Sequence, residues 1–106
     1  MELGGNIVLS GFKEVDKPTL VIVKKIVGNF VKNVSQTSAG FNSINLTLKT
    51  VHERETSKMY EFTGRLTIDN KDAHVEHTDR NILVGIDNVL KKLEKLFKNF
   101  VQIWLG

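Results

Sequence analysis

The stretch Tyr60–Phe97, YEFTGRLTIDNKDAHVEHTDRNILVGIDNVLKKLEKLF, changes its hydrophobic period part-way along, and that change decides the fold. In its first part Tyr60, Phe62, Leu66 and Ile68 alternate with Glu61, Thr63, Arg65, Thr67 and Asp69, the period of two that marks a strand with one wet face. Asp69-Asn70-Lys71-Asp72 reads as a turn, leading into a short strand over residues 73–78. Beyond Thr78 or Asp79, either of which suits a helix cap, Ile82, Ile86, Val89, Leu90, Leu93, Leu96, Phe97 and Phe100 recur at helical spacing. Trp104 extends that face if the helix continues.

Working outward, Ile44, Leu46 and Leu48 alternate with Asn45, Thr47 and Lys49, which predicts another half-buried strand. The charged run His52-Glu53-Arg54-Glu55-Thr56-Ser57-Lys58 reads as an exposed hairpin loop between the two strands. Further upstream Asp16 is placed to cap a helix and Pro18 to sit in its first turn. From Leu20 onward, Ile22, Val23, Ile26, Val27, Phe30, Val31 and Val34 form one apolar stripe, with Lys24, Lys25 and Lys32 opposite it. Period outweighs the strand propensity of the valines and isoleucines here. Ser35 to Gly40 reads as a polar loop, and an early strand is expected over residues 6–12. The order β-α-β-β-β-α predicts an α+β two-layer sandwich, a four-stranded sheet with two helices packed on one face. Residues 1–106 are expected to form a single domain with an apolar C-terminal tail at 100–106.

The composition, 41% hydrophobic and 25% charged, is that of a chain able to bury a core. With no cysteine, a disulfide framework, a thiolate metal site and a thiol nucleophile are all excluded. Residues 1–10 carry no basic stretch of the kind that opens an export signal, and no apolar run approaches the ~18 to 20 residues of a membrane span, so a cytoplasmic protein without a membrane partner is expected. The net charge of +3 is unevenly distributed. Residues 1–79 hold ten basic and ten acidic residues, whereas 80–106 hold Arg80, Lys91, Lys92, Lys95 and Lys98 against Asp87 and Glu94. A cationic segment on a neutral body points to a localised anionic partner.

Lys91, Lys95 and Lys98 fall on a separate face of the last helix, with Lys92 beside them. Lysines along the outer faces of two adjacent helices suit phosphate tracking, which supplies affinity without reading bases; solvated helix surfaces are the plainer alternative. Repulsion between lysines three and four apart costs about 0.2 to 0.5 kcal/mol per pair, which slightly favours function. Enzymatic chemistry finds little support. His74 and His77 are three apart, so in a strand they point to opposite faces and cannot share a metal, and the remaining imidazole is His52. The glycines form neither a dinucleotide nor a Walker loop and read as turns and close packing. No catalytic residue, cofactor or metal is expected.

The segment Asn81-Ile82-Leu83-Val84-Gly85-Ile86-Asp87, followed by Lys92-Leu93, resembles the signature of the ribosome hibernation-promoting factors, also called ribosome-associated translation inhibitors: aspartate, leucine or methionine, tyrosine, two alanines, isoleucine and aspartate, then lysine-leucine. Leu66-Thr67-Ile68 and Ala73-His74-Val75 are similar to that family's third and fourth strands, Leu46-Thr47-Leu48-Lys49 to its second, and Glu14-Val15-Asp16 with Ile22, Val23, Val27 and Phe30 to its first helix. The resemblance spans roughly residues 6–99 and implies the short, single-domain form. It also implies binding to the small ribosomal subunit and its rRNA, over the channel used by messenger and transfer RNA, with translation blocked while the ribosome idles. Lys24, Lys25, Lys32, Lys91, Lys92, Lys95 and Lys98 are the expected RNA contacts. The departures are Asn81 at the opening aspartate, Leu83 at the tyrosine, and Ile26 and Asn29 where relatives often carry lysine. They leave open a second reading, an interaction module of the same fold that has lost ribosome binding. In that reading Phe100-Val101-Gln102-Ile103-Trp104-Leu105 would contact a partner or form a homodimer, whereas the plainer alternative is that this tail extends the core.

Overall fold

The computed structural model describes residues 6–37, 40–54 and 57–105, and side chains over 6–36, 40–51 and 58–97. The elements run β1 (Ile7–Ser10), α1 (Lys17–Thr37), β2 (Phe41–Arg54), β3 (Ser57–Ile68), β4 (Lys71–Asp79) and α2 (Ile82–Leu105). The sheet has four strands in the order β1-β2-β3-β4. Strand β1 lies parallel to β2, joined through the crossover helix α1, while β2-β3 and β3-β4 are antiparallel. The expected α+β order is therefore the observed one.

Alternation in the strands sends Ile7 and Leu9, Ile44, Leu46 and Leu48, Phe62, Leu66 and Ile68, and Ala73 into one buried layer beneath both helices. Helix α1 contributes Val23, Val27 and Val34 to it, and α2 contributes Ile86, Val89, Leu90, Leu93 and Phe97. Helix α2 lies over β3 and β4 and beside α1, which packs over β2. The opposite sheet face is polar. There Asp72 accepts from the guanidinium of Arg65 at 2.5 Å and from the Thr67 hydroxyl at 2.7 Å.

Two glycines set how closely α2 approaches the sheet. A Cβ on Gly85 would sit 2.2 Å from the Phe62 ring, and one on Gly64 would sit 2.6 Å from Val89 and 3.1 Å from Leu93. The helix therefore rests on β3 at two points where one partner has no side chain. This places the close packing expected of the glycines in one contact.

Several boundaries differ from the sequence reading. Most of the charged run expected as a loop is strand: β2 and β3 stay paired through His52↔Met59, Glu53↔Lys58 and Arg54↔Ser57, and Glu55 and Thr56 between them lie outside the described residues. Strand β4 pairs only as far as Tyr60↔Asp79, so beyond this point the hairpin is a two-stranded ribbon. No third strand adjoins the pair there, and the sequence of this stretch lacks the apolar alternation by which a strand over the core is read. Helix α1 extends through Ser35 and Gln36, which the sequence reading assigned to a loop. The β3-β4 turn is tighter than expected: Asp69 and Asn70 alone have positive φ, 51° and 63°, as a type I′ connection requires, and Lys71 and Asp72 belong to the strand. The tail 100–105 continues the backbone of α2 to Leu105, and its side chains, with the tail contacts expected of them, lie outside the described residues.

The two helical glycines Gly28 and Gly85 predict opposite outcomes for the same substitution. Gly28, on α1, has nothing within 4 Å of an added Cβ, so Gly28→Ala should stabilise by up to ~1 kcal/mol through helix propensity. Gly85→Ala carries the same propensity gain but drives a methyl into Phe62, and should destabilise by about 1 to 3 kcal/mol. Urea unfolding of the two variants measures both, and a stabilising Gly85→Ala would contradict the close seat.

Candidate nucleic-acid interface

Both helices turn their apolar stripes to the sheet, so their opposite faces form the outer layer of the molecule on one side. On α1 the exposed lysines Lys25 and Lys32 lie on this outer face. Lys24, one residue earlier and ~100° around the helix from Lys25, is half-buried on a flank and not opposite the stripe as expected. Ile22, read as part of the buried stripe, lies at its margin and is 43% exposed, and Val21 is 52% exposed.

Helix α2 begins at Ile82, and its cap is Asn81 rather than Thr78 or Asp79. The Asn81 side-chain oxygen accepts from the Val84 N–H at 3.0 Å, the geometry of an N-cap. Asp79 acts one step earlier, accepting from the Asn81 N–H at 2.9 Å. An asparagine at this place keeps the capping function that an aspartate would have. On α1 Asp16 caps as the sequence predicts, accepting from the N–H and hydroxyl of Thr19 at 3.2 and 2.9 Å.

The lysines of α2 divide by angle. Lys91 and Lys95 are exposed on the outer face, in line with Val84, which is 47% exposed. Lys91 pairs with Asp87 at 2.9 Å one turn earlier, and hydrogen bonding to that carboxylate raises the lysine pKa, so the charge is kept but locally shared. Lys92, ~100° from Lys91, reaches over β4 instead: its ammonium donates to the Glu76 backbone carbonyl at 2.9 Å and lies 3.5 Å from His77 Nδ1. The side chain of Lys98 lies outside the described residues. The outer face thus brings together Lys25, Lys32, Lys91 and Lys95, and the flanks carry Lys24 and Lys92.

One cluster was not anticipated. His77, half-buried on the helix side of β4, lies 3.2 Å from Asp79 and within ring distance of Phe62. Residues two apart on a strand share a face, so the spacing of His77 and Asp79 was the available signal. His74 points to the other face, as expected. Among the described residues there is no group of three or more side chains able to hold a metal. No helix among them is long and apolar enough to cross a membrane.

No protein-family model matches the sequence, and no curated protein is significantly similar to it. Solved structures do share the fold. The N-terminal domain of protein Y from Thermus thermophilus is 15% identical with a TM-score of 0.63, the match covering 89% of this chain and 94% of that one. A ribosomal subunit interface protein from Coxiella burnetii is 9% identical with a TM-score of 0.60, covering 91% of this chain and 97% of the other.

The carboxylates around this framework predict its acid stability. The Asn81 N–H and then His77 hold the Asp79 carboxyl below its usual 3.8, and Thr67 and then Arg65 do the same for Asp72. A carboxyl depressed in the folded state stabilises it fully above the unfolded value and loses that contribution as pH falls through the lower folded value. A double Asp72→Asn, Asp79→Asn variant should therefore be less stable at pH 7, yet show a shallower fall in unfolding free energy between pH ~4 and ~2. Parallel pH profiles would contradict these contacts. Separately, Asn81→Ala should cost about 0.5 to 2 kcal/mol and Asn81→Asp little or nothing at pH 7, read by urea unfolding.

Proposed function

We propose that this chain is a noncatalytic ribosome-associated factor that binds rRNA of the small subunit through the outer face of its two helices. The observation that carries the reading is that face itself: two adjacent helices, each directing exposed lysines away from the sheet, on a fold shared with a protein Y domain and a ribosomal subunit interface protein.

Lys25, Lys32, Lys91 and Lys95 supply the outward charge, Lys24 and Lys92 flank it, and Lys98 follows them along α2. Contacts of this kind release counterions from the phosphate backbone and recognise folded RNA by shape. The exposed Val21 and Val84 lie among them and offer apolar surface to sugars. Among the described residues of the polar sheet face, Lys49 and Arg65 stand among Glu61, Asp72 and Glu76, so that face has no surplus of base. Bound over the channel used by messenger and transfer RNA, a rigid body of this size excludes both, so translation is inhibited by occupancy and no chemical step is required. This reading places the protein in the cytoplasm.

Co-sedimentation with purified small subunits tests the reading. Binding is expected at low salt, weakening on a log-log plot with a slope reduced by ~0.7 to 0.9 for each contacting lysine removed. Reversal of Lys25, Lys32, Lys91 and Lys95 to Glu should abolish binding with the fold intact by circular dichroism. Absence of co-sedimentation at low salt overturns the reading, and unchanged binding by the reversed variant overturns the assignment of the helical face.

A further inference from the structure

We propose that the free edge of β4 is a self-association surface, on which β4 of a second copy of this chain pairs antiparallel and centred on Val75. Strand β4 is the outermost strand of the sheet and nine residues long, so its outer edge carries a row of backbone donors and acceptors. The two-residue turn fixes which groups point outward: Ile68↔Lys71 closes it as a hydrogen-bonded pair, so the next residue and every second one after it face the edge, and the Glu76 carbonyl among them accepts from the Lys92 ammonium at 2.9 Å. Backbone direction alternates along an antiparallel strand, so Asp72, His74, Glu76 and Thr78 present their N–H and C=O groups to the edge, and Ala73, Val75 and His77 turn theirs to β3.

A two-fold pairing must set outward groups against outward groups, and on this strand three central registers do so. Centring on His74 places Asp72 opposite Glu76 twice, and centring on Glu76 places that carboxylate against its own copy; both oppose like charges. Centring on Val75 avoids this. It sets His74 opposite Glu76 and Asp72 opposite Thr78 on the polar face, and Lys71 opposite Asp79 and Val75 opposite Val75 on the helix side, each pair occurring twice except the central one. This strand is thus complementary to itself in one register. Val75, half-buried in the single chain, gains its missing neighbour there.

Lys92 restrains the pairing. Its ammonium occupies the Glu76 carbonyl, which in the paired state accepts the His74 N–H of the second copy, and a lysine at a strand edge is a common guard against such pairing. One strand pair also buries less surface than the ~1,200 Å² of a standard interface, so association is weak and concentration-dependent.

Sedimentation equilibrium of the whole chain between ~1 μM and ~1 mM tests this, with a monomer-dimer constant expected at about 10 to 1,000 μM. Lys92→Met, which removes the guard, should tighten the dimer about fivefold or more, and His74→Glu, which faces two carboxylate pairs, should weaken it about tenfold or more. The swap His74→Glu with Glu76→Lys should restore it. Both positions are exposed, so circular dichroism of the variants should match that of the parent chain. The proposal is overturned by a strict monomer at ~1 mM for both the parent chain and Lys92→Met, or by a dimer indifferent to His74→Glu, which would place the interface elsewhere, such as the end of α2.

Discussion

The closeness of α2 to β3 is the constraint on which the remaining architecture depends. Gly85 admits the Phe62 ring and Gly64 admits Val89 and Leu93, so the contact is made twice by removing a side chain from one partner. Interiors are packed at crystal-like density, and a seat of this kind tolerates neither an added methyl nor a turn of the helix about its axis. Fixing the rotation of α2 fixes everything it carries. Residues on the side away from the sheet, Lys91 and Lys95, face solvent, and Lys92, a hundred degrees round, is brought over the edge of β4.

The same helix therefore has three kinds of surface set by angle alone. Its apolar stripe of Ile86, Val89, Leu90, Leu93 and Phe97 makes the core, its outer face adds to the lysines of α1, and its flank ties to β4 through Lys92. At its start Asp79 holds Asn81, and Asn81 holds the first turn, so the end of β4 and the entry to α2 are joined by side-chain hydrogen bonds. His77 and Asp79 share the helix side of β4, and the ring lies beside Lys92, which makes this corner a connected polar cluster. The positive charge concentrated in the last quarter of the sequence is thus partly committed to the fold and partly free to meet an anionic surface.

Regular segments were legible wherever one face was wet and the other dry. Tyr60–Ile68, Ile44–Leu48 and both helical stripes were readable because burial imposes a period on the sequence. The charged far end of β2 and β3 was not, since its sequence has no apolar alternation and its pairing is visible only in the register, which runs past the last β3-β4 pair. The caps divided in the same way. Asp16 with Pro18 is a local signal read correctly, whereas among Thr78, Asp79 and Asn81 three acceptable caps lie within four residues, and the cap is chosen by where packing starts the helix. Lys92 looked like a neighbour of Lys91 and Lys95 because sequence proximity conceals a rotation of a hundred degrees, and its carbonyl partner is sixteen residues away.

What the sequence by itself determined is therefore the set of elements, their order, the apolar face of each and the location of the charge excess, all of which follow from local periodicity and composition. Tertiary structure alone decided which glycine meets which side chain, how far the β2-β3 ribbon extends, which lysines face solvent and which edge strand stands open. Those outcomes depend on the distance and rotation between elements remote in the chain, and no local pattern encodes either.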